Sequence, residues 1–229
     1  MATDPGSDAL SIFLAGLEAV DSGRLVHAAV AVEGRLLQLA GEAVDLESID
    51  RIAVVGAGKA GAGMTGAIEE ILGPRRLREH DVHGWVNVPA DCVRDTRAVH
   101  LHAARPPGFN EPTPEGADGA RRVLDIVGAL GPRDLCICLI SGGGSALLPS
   151  PAPGLTLDDE LAVTRHLSAA GADIAELNTV RKHLSTLKGG GLARACRAGR
   201  LVTLVISDVL GDPLDLIASG PTVVDTSSP

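Results

Sequence analysis

All three lysines of the chain, Lys59, Lys182 and Lys188, fall inside glycine-rich or polar motif segments, and every other basic residue is Arg or His. A compact ammonium is preferred to a planar guanidinium where one cation must sit against an anionic oxygen in little space, a phosphate oxygen being a common case. Three glycine-bearing segments extend the hint: GAGKAG at 56–61, SGGGS at 141–145 and SDVLGD at 207–212. Glycines let backbone N–H groups approach anionic oxygens, and a helix starting just after adds positive potential. Gly56, Gly58, Ser141, Gly142, Gly143, Gly144 and Ser145 are therefore candidate ligands of an anionic cofactor, with Lys59 as the cation beside them.

The first segment matches GxGxxG, a weak sign of dinucleotide binding when it stands alone. A dinucleotide site also needs an acid at the end of the next strand, which here reads Val86-Asn-Val88, with Asp81 and Asp91 only flanking it. Nor is the segment a Walker A loop, because Ala60 follows Lys59 and offers no hydroxyl to magnesium. The plain alternative is that its glycines only let strand and helix pack closely. Ser145 lacks the GxSxG setting of a serine nucleophile. Asp208 and Asp212, four residues apart around Gly211, suit a hard cation or a base that takes a hydroxyl proton, and Asp212 equally suits capping the turn before Pro213. Asn178, Arg181 and Lys182 share one helical face ahead of Lys188, Gly189 and Gly190. A solvated basic face is the ordinary reading of such a run; an anion pocket, with Asn178, Arg181 and Lys182 on the substrate and Lys188 to Gly190 on the cofactor, is the other.

These groups need a scaffold. Residues 51–55 and 135–140 are short apolar runs, the mark of buried parallel strands, with further strands predicted at 83–88, 98–102 and 201–206. Helices are predicted at 59–72, stopped by Gly73-Pro74; at 115–130; from an N-cap at Thr156 to 170; after the cap Asp173; and as a short turn at 215–219. Residues 8–46 carry apolar positions at helical spacing and predict helix, turn and one strand, with 31–37 ambiguous. Strands alternating with helices imply a three-layer α/β fold, a mostly parallel, Rossmann-like sheet with helices on both faces, whose ligand lies beyond the strand C-termini. His100 and His102 would point to one side of their strand, as a metal pair or as a half-exposed face.

Composition narrows the function. A net charge of −9 opposes contact with a polyanion, and 1% aromatics leave no stacking platform for bases, so nucleic acid is an improbable partner. No stretch approaches a membrane span and the first ten residues resemble no signal peptide, so the chain reads as cytosolic. Without a CxxC pair, the four cysteines read as reduced thiols.

Taken together, GAGKA from Gly56, LISGGGSALLP from Leu139, LNTVRK from Leu177, LKGGG from Leu187, and ISDVLGDP from Ile206 followed by IASGPT from Ile217 closely resemble the glycerate 2-kinases, the class II glycerate kinases. The motifs occur in the same order over nearly the whole chain. The resemblance implies ATP- and magnesium-dependent phosphorylation of D-glycerate at its 2-hydroxyl, with Lys59 as the essential lysine and Asp208 as the acidic catalytic residue. It implies small-molecule partners, glycerate and a nucleotide, and is compatible with a homodimer. Members of the family also carry the name hydroxypyruvate reductase, so an NAD(P)-dependent reductase is the rival enzyme, and a non-catalytic ligand-binding fragment the third reading. Two departures stand out. Residues 102–114 differ from the usual His-Pro-x-Pro-Asp pattern, and the family continues past Ser-Gly-Pro-Thr into a second domain, so residues 1–225 are expected to form the N-terminal α/β domain and 226–229 the start of a linker.

Overall fold

The computed structural model describes residues 4–227. It opens with α1 (Pro5–Ala19), capped by the Asp4 carboxylate, and α2 (Ser22–Ala29), capped by Asp21. Three short strands follow, β1 (Val30–Glu33), β2 (Leu36–Leu39) and β3 (Glu42–Asp45), paired antiparallel in sequence order. The helical spacing is realised at Leu10 to Leu17, in α1, and is coincidental at Leu36, Leu37 and Val44. Two-residue turns with positive φ, at Gly34 and at Ala40-Gly41, reverse the chain after each four-residue strand. Strand alternation then buries Val30, Leu37, Leu39 and Val44 in the core.

The principal sheet is built from β4 (Ile52–Ala57), β5 (His83–Pro89), β6 (Val99–Arg105), β7 (Leu135–Ser141) and β8 (Arg200–Ile206), all parallel, in the order β6-β5-β4-β7-β8. Every residue of β4 and β7 is buried, so both faces need cover. Ile52, Val54, Ile137 and Leu139 face one core with α3 (Gly61–Glu79); Ala53, Val55, Cys136 and Cys138 face another with α4 (Pro114–Gly128). This is the expected three-layer architecture. α3 does break at Gly73 (φ 69°), as the Gly-Pro pair predicts, but a further helical segment resumes behind Pro74.

Four more helices complete the chain: α5 (Gly144–Leu147), α6 (Leu157–Ala169), α7 (Ile174–His183) and α8 (Gly191–Ala195). Thr156 with Asp159 and Asp173 with Glu176 form reciprocal capping boxes that start α6 and α7 where the sequence placed them. The strand order reverses direction between β4 and β7, so their C-terminal ends frame the crevice where such sheets bind ligands.

At the opposite sheet edge, Asp134 clamps the starts of β4 and β7. Its carboxylate, 4% exposed, accepts hydrogen bonds from the Arg51 guanidinium (2.6 Å), the Arg51 backbone and the Gly131 N–H. Burial pushes the Asp134 carboxyl up, but these bonds and the Arg51 charge outweigh it and hold the group below its ordinary range. A depressed folded-state pKa means the clamp stabilises above about pH 4 and is lost as pH falls through the folded value. We therefore expect Asp134→Asn to cost about 1–3 kcal/mol at pH 7, with the difference from wild type shrinking towards pH 3. Urea midpoints at both pH values check it; a constant difference would contradict the clamp.

Candidate functional site

The first glycine segment turns out to be built for close approach. A Cβ at Gly56 would overlap the Leu139 carbonyl, and one at Gly58 (φ 147°) would overlap the Ser141 side chain, so β4 and β7 meet here only because these residues have none. The donors of the turn are then used internally. Gly58 N–H donates to the Asn87 carbonyl, Lys59 N–H to the Gly142 carbonyl and Ala60 N–H to Ser141 Oγ, at 3.1, 3.0 and 3.0 Å. Gly56 and Gly58 thus serve the close approach of the strand ends, the Gly58 N–H is taken by β5 and Ser141 Oγ accepts from Ala60, a packing role in place of the anion contacts expected of them.

The second segment is different. The N–H groups of Gly142 and Gly143 donate no hydrogen bond among the described residues. Charged side chains from three other strand ends close around these two glycines. A Cβ at Gly142 would run into the Asp208 carboxylate, and one at Gly143 would stand 3.0 Å from Arg105 Nη2 and 3.5 Å from Lys59 Cε. Lys59 follows β4, Arg105 ends β6, the glycines follow β7 and Asp208 follows β8. Lys59 and Asp208 are exposed, and neither makes an ion pair or side-chain hydrogen bond among the described residues. The parallel sheet thus delivers a free ammonium, a free carboxylate and open backbone donors to one place.

Beside it lies a cleft of about 280 Å³, walled by Arg105, Gly142 to Ser145, Glu160, Asn178, Arg181, Lys188 and Asp208. Arg105 is 4% exposed, donates from Nη1 to Asn110 Oδ1 (3.2 Å), and leaves Nε without a partner. Burial lowers its pKa from a value high enough that the charge persists. Arg181 is half-buried and likewise pulled down by burial, with the Glu160 charge opposing the shift. Lys188, expected on the cofactor, instead donates to Glu160 Oε1 at 2.6 Å, with both side chains almost fully buried. Burial lowers the Lys188 pKa and Glu160 opposes this. Reaching a phosphate would leave Glu160 an unpaired buried charge, so Lys188 is reassigned to the cleft's internal ion pair.

The glycines that follow Lys188 serve a strained turn. Ala218, Ser219 and Gly220 have φ of 51°, 60° and 59°, a left-handed run that costs about 1–3 kcal/mol for each non-glycine residue. Gly189 and Gly190 hold it by donating to the carbonyls of Ser219 and Gly220, at 2.9 and 2.7 Å. Ser219 Oγ donates to Asn178 Oδ1 (3.1 Å) and lies 2.9 Å from Ser145 Oγ. The Ala218 methyl fills the space a side chain on Gly144 would need. Lys182 Nζ is also committed, to Asp215 (3.2 Å) and Asp225 (3.3 Å). The cofactor role expected of Gly189 and Gly190 and the substrate role expected of Lys182 are therefore corrected, whereas Asn178 and Arg181 do line the cleft.

Asp212 lines a second, mostly apolar cavity with Leu25, Met64 and Leu214, whereas Asp208 lines the cleft. Among the described residues no three His, Cys, Asp or Glu side chains gather around one point. His100 and His102 do share a side and stack on Trp85, at ring-centroid distances of 4.1 and 5.0 Å. Arg105 and Glu160 were missed in the sequence. Arg105 had a usable signal, as the charged residue that ends an apolar-alternating strand at the ligand edge; Glu160 reads as an ordinary acid in a helix's first turn.

A family model described as "Domain of unknown function (DUF4147)" matches residues 8–229. A glycerate kinase from Danio rerio is 40% identical over 96% of this chain and 45% of its own length. A Pyrococcus horikoshii protein of solved structure superposes with a TM-score of 0.84 at 34% identity, over 98% of this chain and 49% of its own. The crystal structure of a Thermotoga maritima glycerate kinase gives 0.68 at 38% identity, over 79% and 42%. The chain thus spans about half the length of the relatives it matches. None of its helices is long and apolar enough to cross a membrane, among the described residues.

Proposed function

Because this chain belongs to the DUF4147 family, we propose that it is the part of a glycerate kinase that positions phosphoryl transfer from ATP to the 2-hydroxyl of D-glycerate. One observation carries the reading. Of the three lysines, two are buried in ion pairs, and among the described residues only Lys59 stands free, beside an unpaired Asp208 and the open Gly142 and Gly143 donors. Phosphoryl transfer asks a protein for that kind of equipment: positioned positive charge, backbone donors and a carboxylate, with little covalent chemistry of its own.

The donor set fits a nucleotide phosphate and magnesium. Gly142 and Gly143 would donate to phosphate oxygens, with Lys59 neutralising them, and Asp208 would be the protein's contribution to a cation that takes its remaining ligands from phosphate and water. Magnesium-bound ATP supplies the transferable phosphoryl group and spreads its charge. Asp208 is equally suited to accept the proton of the attacking hydroxyl, and Arg181 to add positive charge to the cleft that an anionic acceptor enters. The reading brings with it a cytoplasmic setting and small-molecule partners. The rival dinucleotide-dependent reductase is disfavoured by Asn87, which stands where a ribose-binding acid belongs and has its amide committed to the carbonyls of Gly116 and Leu147.

A coupled assay for 2-phosphoglycerate with ATP, magnesium and D-glycerate tests the proposal on a protein that carries this domain at its relatives' full length. We expect turnover there, and from the 229-residue chain alone binding with turnover reduced by orders of magnitude, since the transferring group must be met by cations from more than one side. Formation of 3-phosphoglycerate, or NADH-dependent reduction in place of ATP use, would overturn it.

A further inference from the structure

Two almost fully buried charged side chains on the same cleft each keep one polar atom without a partner: Arg105 Nε lacks an acceptor and Glu160 Oε2 lacks a donor. Buried polar atoms are almost always satisfied, and two complementary orphans on one cleft point to a ligand that completes both. We propose that this cleft is the seat of a small hydroxy acid, whose carboxylate is received by Arg105 and one of whose hydroxyls donates to Glu160 Oε2. The choice of D-glycerate as that acid rests on the kinase reading above.

Charge and size favour this occupant over the nucleotide. The cleft is lined by three cations, Arg105, Arg181 and Lys188, against two carboxylates, Glu160 and Asp208, leaving one positive charge, the complement of a monoanion. A triphosphate carries several negative charges, and its oxygens would be repelled by Glu160 Oε2, which needs a donor and would find none. The volume of about 280 Å³ sits at the small end of ligand cavities, which run to about 1,000 Å³. Glu160 Oε1 is fixed by Lys188 Nζ at 2.6 Å, which holds the carboxylate in place with Oε2 left over. Arg105 is steadied through Nη1 by Asn110, while Nε, itself buried, is left without an acceptor. Arg105 and Glu160 are thereby assigned as acceptor-binding residues, and the open donors at Gly142 and Gly143 are left to the phosphate side.

The test is titration calorimetry of the 229-residue chain with D-glycerate, D-lactate, propionate and inorganic phosphate, repeated on Arg105→Gln and Glu160→Gln. In wild type, D-glycerate should bind about 10–100-fold more tightly than propionate, which has the carboxylate but no hydroxyl. Glu160→Gln keeps an oxygen for Lys188 but turns the orphan acceptor into a donor, so it should collapse that ratio towards one while leaving propionate affinity nearly unchanged. Arg105→Gln should weaken both acids about equally, by 10-fold or more. Should Glu160→Gln fail to fold, the wild-type ratio and the Arg105 variant still decide. Equal wild-type affinity for glycerate and propionate, an equal loss of both in Glu160→Gln, the absence of binding by either hydroxy acid, or inorganic phosphate displacing glycerate with the tighter, Arg105-dependent affinity would each overturn the assignment. The site and the kinase reading fail separately. Arg105- and Glu160-dependent binding of D-lactate but not D-glycerate keeps the site and sinks the substrate, whereas glycerate phosphorylation by the full-length protein without this binding pattern does the reverse.

Discussion

Lys59→Ala, placed in a full-length protein, is expected to lower glycerate-dependent ATP turnover by about 10²–10³-fold or more, the usual effect of removing one preorganised charge from a transferring phosphoryl group. The stem of Lys59 lies against Gly143, within reach of both Arg105 and the open backbone donors. Since no described residue pairs with its ammonium, the substitution should leave stability within about 0.5 kcal/mol, which separates a catalytic defect from a folding one. Lys59→Arg should also be poor, because a guanidinium brought over Gly143 would compete with the Arg105 fork for the same space. Initial rates with matched thermal melts make the comparison, and near wild-type turnover in the alanine variant would remove Lys59 from the mechanism.

The opposite behaviour is expected of Lys188→Met. Lys188 and Glu160 are 1% and 2% exposed, and removing one partner of such a pair leaves the other charged and buried, typically a loss of about 3–5 kcal/mol. For a domain of this size that is a fall in melting temperature of roughly 10 °C. The double variant Lys188→Met with Glu160→Leu should recover most of the loss, because two apolar side chains of similar volume replace the pair without a stranded charge. Denaturant unfolding of the three proteins provides the cycle. A loss below about 1 kcal/mol in the single variant would mean that Lys188 is not tied to Glu160, and would restore it as a candidate phosphate ligand.

The lysines show where sequence reasoning stops. Lys59 and Lys188 look alike as residues next to glycine, and what separates them is Glu160, 28 positions earlier, which α6 brings to 2.6 Å from Lys188. In the same way KGGG reads as an anion loop until Ser219 and Gly220 are seen to occupy its donors.

Local rules, by contrast, carried far. The apolar runs of β4 and β7, the capping boxes at Thr156 and Asp173, and the break at Gly73 are short-range consequences of side-chain size, polarity and backbone freedom, and they determined the parallel sheet and the edge where its ligand must lie. They also sufficed to place Lys59, Gly142, Gly143 and Asp208 at that edge. Pattern failed in residues 30–45, where helix and hairpin spacing coincide over a few apolar positions and only the positive-φ turns decide. What the tertiary structure alone decided is which polar atoms remain unsatisfied. Hydrogen bonds and ion pairs between distant segments consumed Ser141, Lys182, Lys188, Gly189 and Gly190. The groups left over, Lys59, Asp208, Arg105 Nε and Glu160 Oε2, are defined by the absence of a partner, a property of the folded whole that no residue carries in its own position.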